Sequence, residues 1–260
     1  MYTQRNSEIC FPCAGIPAFE SRWVYRCLWI LLFYTGVVCA NPSEKMIEHV
    51  KTSIARAEMG LSKLTPEALQ VPGMSSPKVR HLLNNLCSLP GTSYLEIGCW
   101  KGSTLVAALT GNPMHAFAFD NWSEFLLEGE SPRKDFFQNV APFLQSGSLK
   151  FFEADCFAID RPAQFFAHEK LQSPINIYFY DGSHLLSNQK KAFTFFNAVF
   201  DDCFIAIVDD WNWDYVQQGT KEAFDELGYR ILFEQSFLTT HNGDSDTWWN
   251  GLYIAVIQSR

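Results

Sequence analysis

Glu96-Ile97-Gly98-Cys99-Trp100-Lys101-Gly102-Ser103 is the stretch that decides how this chain folds. A short apolar run at 94–97 leads into it, and Ser103-Thr104 opens a helical stretch that continues to Leu109. Glycines at 98 and 102, set at a strand-to-helix junction, allow a tight turn and a close approach of the backbone. Backbone N–H groups at such a helix start converge on whatever sits there, so the loop reads as a ligand cradle. The plainer alternative is a turn that needed two glycines and binds nothing. Two nucleotide motifs are excluded at once. Trp100 stands where a dinucleotide fingerprint needs glycine for the pyrophosphate to approach, and Lys101 is followed by Gly102 where a P-loop needs Ser or Thr.

Outward from this loop, short apolar runs alternate with helical stretches. Strands are predicted at 94–97, 116–119, 149–152, 175–180, 204–208, 230–234 and 252–257, with helices at 104–109, 134–144, 163–170, 187–200 and 216–227. Such alternation predicts an α/β fold with a doubly wound, mostly parallel seven-stranded sheet. Upstream, the text reads as a helix capped by Ser43, with an amphipathic pattern opening at Met46, Ile47, Val50 and Ile54. A Pro- and Gly-rich loop at 66–77 and a second helix from Pro77 to about Leu89 follow. The expected organisation is an N-terminal appendage at 1–45, a helical extension at 46–92 and the α/β domain at 93–260.

Composition agrees with a single large domain. The chain has 260 residues, 47% of them hydrophobic, including 23 Phe, enough for a well-buried core and too apolar for disorder. A net charge of -8 argues against a nucleic-acid partner, which calls for a surplus of Lys and Arg. Eight Cys are too few for a disulfide scaffold of this length, so a reducing compartment is expected. Cys10 and Cys13 have CxxC spacing, but no second pair accompanies them to complete a zinc site.

Ligands of open α/β sheets bind at the carboxyl ends of the strands, and acidic residues concentrate there. Asp120 and Asp155 follow the second and third strands, Asp181-Gly182-Ser183-His184 the fourth, and Asp209-Asp210-Trp211 the fifth. Asp181, Asp209 and Asp210 at neighbouring strand ends suit a hard divalent cation such as Mg²⁺, which takes oxygen ligands. Alternatively, Asp181 and Asp210 cap loops and only Asp209 faces a pocket. His184 is placed either to act as a base on a hydroxyl at that edge or as a structural histidine. Trp122, Trp211, Trp213 and Tyr215 lie near the same loops, where core packing is the default and stacking on a ligand the alternative.

The pattern E-x-G-x-x-x-G at Glu96, Gly98 and Gly102 resembles that of class I S-adenosylmethionine-dependent methyltransferases. The pair D-G-S-H and D-D-W resembles the metal-dependent sugar O-methyltransferases of macrolide and aminocoumarin pathways, over about residues 93–215. The resemblance implies an S-adenosylmethionine site built from Glu96, Gly98, Gly102, Ser103, Asp120 and Asp155. In it Asp120 takes the ribose diol and Asp155 the adenine amino group, although either Asp also fits a helix-capping role. It further implies Mg²⁺ on Asp181, Asp209 and Asp210, His184 as the base, and methylation of a hydroxyl on a small, sugar-like acceptor. The N-terminal part and the tail Trp248-Trp249-Asn250-Gly251 depart from that family, so the acceptor is not carried over. A metal-independent methyltransferase and a non-catalytic S-adenosylmethionine-binding module are the alternatives, and a homo-oligomer is compatible with either.

The N-terminus conflicts with this reading. Arg22 and Arg26 precede an apolar run at 27–39 that ends in Val38-Cys39-Ala40, the order of a secretory signal. The run is short for a membrane span, though residues 23–40 would support weak membrane association. S-adenosylmethionine is a cytosolic compound, so a cytoplasmic location is expected, with translation starting downstream at Met46. Membrane anchoring or export is the alternative.

Overall fold

Each of the seven apolar runs becomes a strand. A computed structural model describes residues 41–123 and 132–259. Cys10, Cys13 and the signal-like segment up to Ala40 lie outside the described residues. Helix α1 (Pro42–Glu58) begins behind a capping box, in which the Asn41 side chain and Glu44 satisfy each other's backbone N–H groups. Asn41 is therefore the cap in place of Ser43, and Met46 lies inside the helix. The short helix α2 (Pro66–Leu69) is capped by Thr65, and α3 (Pro77–Leu86) by Ser76. There follow β1 (Ser93–Ile97), α4 (Ser103–Leu109), β2 (His115–Asp120), α5 (Pro132–Ser146), β3 (Leu149–Glu153), α6 (Pro162–His168) and β4 (Ile175–Tyr180). The chain ends with α7 (Leu186–Thr194), β5 (Phe200–Asp209), α8 (Asp214–Leu227), β6 (Arg230–Phe237) and β7 (Leu252–Gln258).

The strand order is β3-β2-β1-β4-β5-β7-β6. Strands β1 to β5 pair in parallel, whereas β7 is antiparallel to both β5 and β6. A helical crossover separates each parallel pair, but only the loop 238–251 joins β6 to β7, and a direct return makes strands antiparallel. Alternate residues of each central strand feed two cores. Ile177, Phe179, Ile205 and Ile207 face α1, α3, α4 and α5, while Tyr178, Tyr180, Ala206 and Val208 face α6, α7 and α8. Burial on both faces explains why these strands read as continuous apolar runs rather than as alternating ones.

The helical extension belongs to the same compact unit as the sheet, which begins at Asn41. Buried Arg80 of α3 ties it down: Nη1 donates to the carbonyls of Leu69 (2.7 Å) and Val71 (2.8 Å), and Nε to the Ser75 hydroxyl (3.0 Å). Thus α3 shapes the loop 70–76. The helix expected at 187–200 is shorter than its pattern. It stops at Thr194, a 3-10 turn spans Asn197–Val199, and Phe200 already pairs with Ile175. Aromatic residues crowd positions 193, 195, 196 and 200, so periodicity does not mark the boundary; Phe200 is drawn into the sheet by stacking on Phe204 and packing on Tyr178. Among the described residues, no helix is long and apolar enough to cross a membrane.

Candidate functional site

The chain builds outward from β1 to β2 and β3, then crosses back to β4. The connections leaving the carboxyl ends of β1 and β4 therefore run off in opposite directions, which opens the crevice where ligands of such sheets bind. A cavity of about 610 Å³ lies there, of a size that holds a nucleoside derivative and a second small molecule.

The loop after β1 forms its floor. Gly98 has φ +84°, and a Cβ there would come within 1.8 Å of the Asp181 carbonyl oxygen at the end of β4. Its glycine is thus demanded by the neighbouring strand. The N–H groups of Gly98, Cys99, Trp100 and Gly102 are directed inward to the protein rather than into an anion cradle. Gly98 N–H donates to the Phe119 carbonyl (2.9 Å) and Gly102 N–H to that of Cys99 (2.6 Å). Cys99 and Trp100 both donate to Asp120 Oδ2 at 2.7 Å, and Trp122 N–H donates to Asp120 Oδ1 at 2.7 Å. Asp120 lines the cavity at the centre of this fan. A carboxylate has about four lone-pair sites, so Oδ1 retains capacity for a ligand donor.

Gly98, Asp120 and Asp155 line the cavity, whereas Glu96, Gly102 and Ser103 stand behind its wall. Gly102 caps α4 at φ +81° and packs against Phe136 and Val140. Ser103 is buried under the loop of Gly73 and Ser75, with its hydroxyl 3.3 Å from that of Ser75. Glu96 is fully buried and receives hydrogen bonds from the Tyr94 hydroxyl (2.6 Å) and the Thr104 hydroxyl (2.7 Å), joining β1 to α4. Burial pushes the Glu96 carboxyl up to about 7, against an ordinary 4.5, even though both hydrogen bonds favour the charged form.

That shift gives a pH-dependent stability. A carboxyl whose folded value is raised stabilises the fold fully below pH 4.5, and this contribution is lost as pH rises through about 7. Glu96→Gln removes the titration. Relative to the native chain, the variant is expected to gain up to about 3 kcal/mol between pH 4.5 and pH 8. Urea midpoints at the two pH values check this, and a difference that stays constant with pH would contradict it.

The opposite wall is acidic. Asp181, His184 and Asp210 bring potential ligand atoms within 4.8 Å of one another. His184 Nε2 contacts Asp210 Oδ2, and Asn250 Nδ2 donates to Asp210 Oδ1 at 2.7 Å. Asp210 is held at φ +58°, and the Trp213 ring lies 4.6 Å from that of His184. Asp209 is buried beside them, and its Oδ1 has no hydrogen-bond partner among the described residues. Burial, then the Asp209 and Asp210 carboxyls, hold Asp181 well above the usual carboxylate range; burial and Asp210 do the same to Asp209. The structure therefore gathers Asp181 and Asp210 with His184 in place of Asp209: His184 sits directly on Asp210, and Asp209 lines the same cavity outside that ligand group.

Asp155 accepts the Phe157 N–H at Oδ1 (2.8 Å) and lines the far end of the cavity. Of the four aromatics near these loops, Trp211 is core, stacked on Tyr253 at 4.2 Å, while Trp122 and Trp213 line the cavity. Tyr215 stacks on Trp213 and stays exposed. Sequence reasoning missed Met74, Lys191, Trp249 and Asn250 as lining residues. Asn250 meets Asp210 from 40 residues away through the return of β7, and only its Trp-Asn-Gly turn marked it. Among the described residues the lining holds five Asp and a single Lys.

Neither a scan against protein-family descriptions nor a search of curated proteins finds a match. Among solved structures, the chain is similar to an O-methyltransferase from Bacillus cereus in complex with SAH, at 12% identity over 88% of this chain and 97% of that one, with a TM-score of 0.49. It is similar to the O-methyltransferase TomG from Streptomyces achromogenes in complex with SAM, at 15% identity over 88% and 95%, TM-score 0.46. A putative O-methyltransferase from Klebsiella pneumoniae aligns at 13% identity over 91% and 98%, TM-score 0.45.

Proposed function

We propose that this chain is an S-adenosylmethionine-dependent methyltransferase acting on a hydroxyl of a small, sugar-like molecule with the help of a divalent cation. The observation that carries the reading is the sign of the cavity. Among the described residues five carboxyls and one ammonium line it, and the Cys99 and Trp100 N–H groups of the glycine loop donate to Asp120. A phosphate-bearing ligand would meet repulsion there. S-adenosylmethionine, with a sulfonium and an ammonium against one carboxylate, is a cation of matching size.

In this scheme Asp120 accepts from the ribose diol, and Asp155 takes the adenine amino group. Gly98 lets β1 and β4 close up beneath the donor. Asp181, Asp209 and Asp210 are hard oxygen donors, and the orphaned Asp209 Oδ1 suits a cation; bound Mg²⁺ would lower the pKa of an acceptor hydroxyl. His184, oriented by Asp210, takes the hydroxyl proton. The acceptor oxygen forms its bond to the methyl carbon in line with the breaking C–S bond, whose electron pair returns to sulfur to give S-adenosylhomocysteine. Alignment of the two reactants supplies much of the rate.

Titration calorimetry of the full chain with S-adenosylhomocysteine is expected to give binding, and a mass search in cell extract a methylated product. No binding would sink the proposal, and binding without product would favour a non-catalytic module. Asp209→Asn or a chelator is expected to lower turnover about 100-fold or more, since a Lewis acid contributes several kcal/mol. Activity that survives both removes the metal from the scheme. A cytosolic donor supply places the domain on the cytosolic side, which mass spectrometry of the native N-terminus checks.

A further inference from the structure

Among the described residues, the one ammonium that lines the cavity sits at the Asp155 end. Lys191, on α7, holds its Nζ 4.4 Å from the centre of the Phe157 ring and 5.3 Å from that of Phe195. Phe157 is the same residue whose N–H fixes Asp155 Oδ1, and Asp155 Oδ2 has no hydrogen bond among the described residues. Asp155 and Lys191 also act on one thiol: after burial, Asp155 raises and Lys191 lowers Cys156, which ends up at about 12. The two charges thus share one end of the cavity, yet no ion pair within 4 Å joins them among the described residues. The Phe157 and Phe195 rings give the ammonium a cation–π seat.

We infer that Lys191 is the specificity-determining partner of Asp155 in reading the nucleobase, donating to adenine N1 while Asp155 Oδ2 accepts from the neighbouring amino group. The inference rests on the reading of this cavity as an S-adenosylmethionine site. Adenine presents an amino donor beside a ring acceptor, and the Asp–Lys pair presents an acceptor beside a donor. Hypoxanthine reverses both positions, with a carbonyl oxygen where the amino group was and an N–H at N1. Its carbonyl would face Asp155 and its N–H would face the ammonium, leaving both protein groups mismatched.

The test is calorimetry of the full chain with S-adenosylhomocysteine and S-inosylhomocysteine. The native chain is expected to bind the inosyl compound about 100-fold more weakly. Lys191→Met keeps the packing on Phe157 at an exposed position, so the urea midpoint should stay unchanged. This variant should bind S-adenosylhomocysteine about 10-fold more weakly, the loss of one charge-assisted hydrogen bond, and should discriminate between the two compounds only about 10-fold. Native affinity and native discrimination in Lys191→Met would overturn the inference while leaving the methyltransferase reading intact. A native chain that binds neither compound would take down both.

Discussion

Gly98→Ala is expected to destabilise the fold by about 4 kcal/mol, a backbone penalty of 1–2 kcal/mol at positive φ plus an overlap the core cannot absorb. The added Cβ would lie 1.8 Å from the Asp181 carbonyl oxygen and 2.5 Å from its carbon, both backbone atoms of a buried parallel pair. Relief requires β1 and β4 to move apart at their carboxyl ends, where the cavity is built. Loss of S-adenosylhomocysteine binding should therefore accompany the loss of stability. Gly91→Ala is the control: φ is +77° there too, but nothing lies within 4 Å of the added atom, so only the backbone penalty of about 1 kcal/mol applies. Equal urea midpoints for the two variants would show that the approach of Asp181 is not what demands glycine at position 98.

Asp120→Ala should cost about 3 kcal/mol and at least about 100-fold in affinity for S-adenosylhomocysteine, because three N–H donors lose their acceptor together. Those donors belong to Cys99, Trp100 and Trp122. Trp100 and Trp122 are held at positive φ, at 42° and 51°, and the Trp122 Nε1 donates to the Trp100 carbonyl (2.9 Å). Without the carboxylate, both bulky residues are released from conformations that L-residues seldom adopt. The floor of the cavity and one wall then relax at once. Asp120→Asn separates the two effects: one amide oxygen still accepts from the loop, so stability should fall by less than in the alanine variant. Affinity should drop nearly as far, since the amide brings no charge to this side of the cavity. An alanine variant with native stability would refute this account of the loop.

The strands, the parallel core of the sheet and the glycine loop were legible in the residues because local physics determines them. Strands buried on both faces read as apolar runs, Pro and Ser or Thr mark helix starts, and two of the three positive-φ positions in the turn 98–102 carry glycine. Element boundaries were less legible where aromatic residues crowd a run, as at 193–200, and the cap of α1 shifted to Asn41 once its reciprocal bond with Glu44 was made.

What the sequence alone determined about the site is its inventory: five Asp and one His at the carboxyl edge of a parallel sheet. Which of its residues face the cavity was decided by the tertiary structure. Glu96 lies behind the wall because β1 is covered on both faces, and Ser103 because Gly73 closes over it. Asn250, Lys191 and Met74 enter from a hairpin, a crossover helix and the Arg80-tethered loop, none of which is local to a motif. The purpose of Gly98 also changes in three dimensions: a glycine that reads as room for a ligand makes room first for the backbone of β4. Spacing along a chain specifies what a turn can do, and only packing specifies what stands next to it.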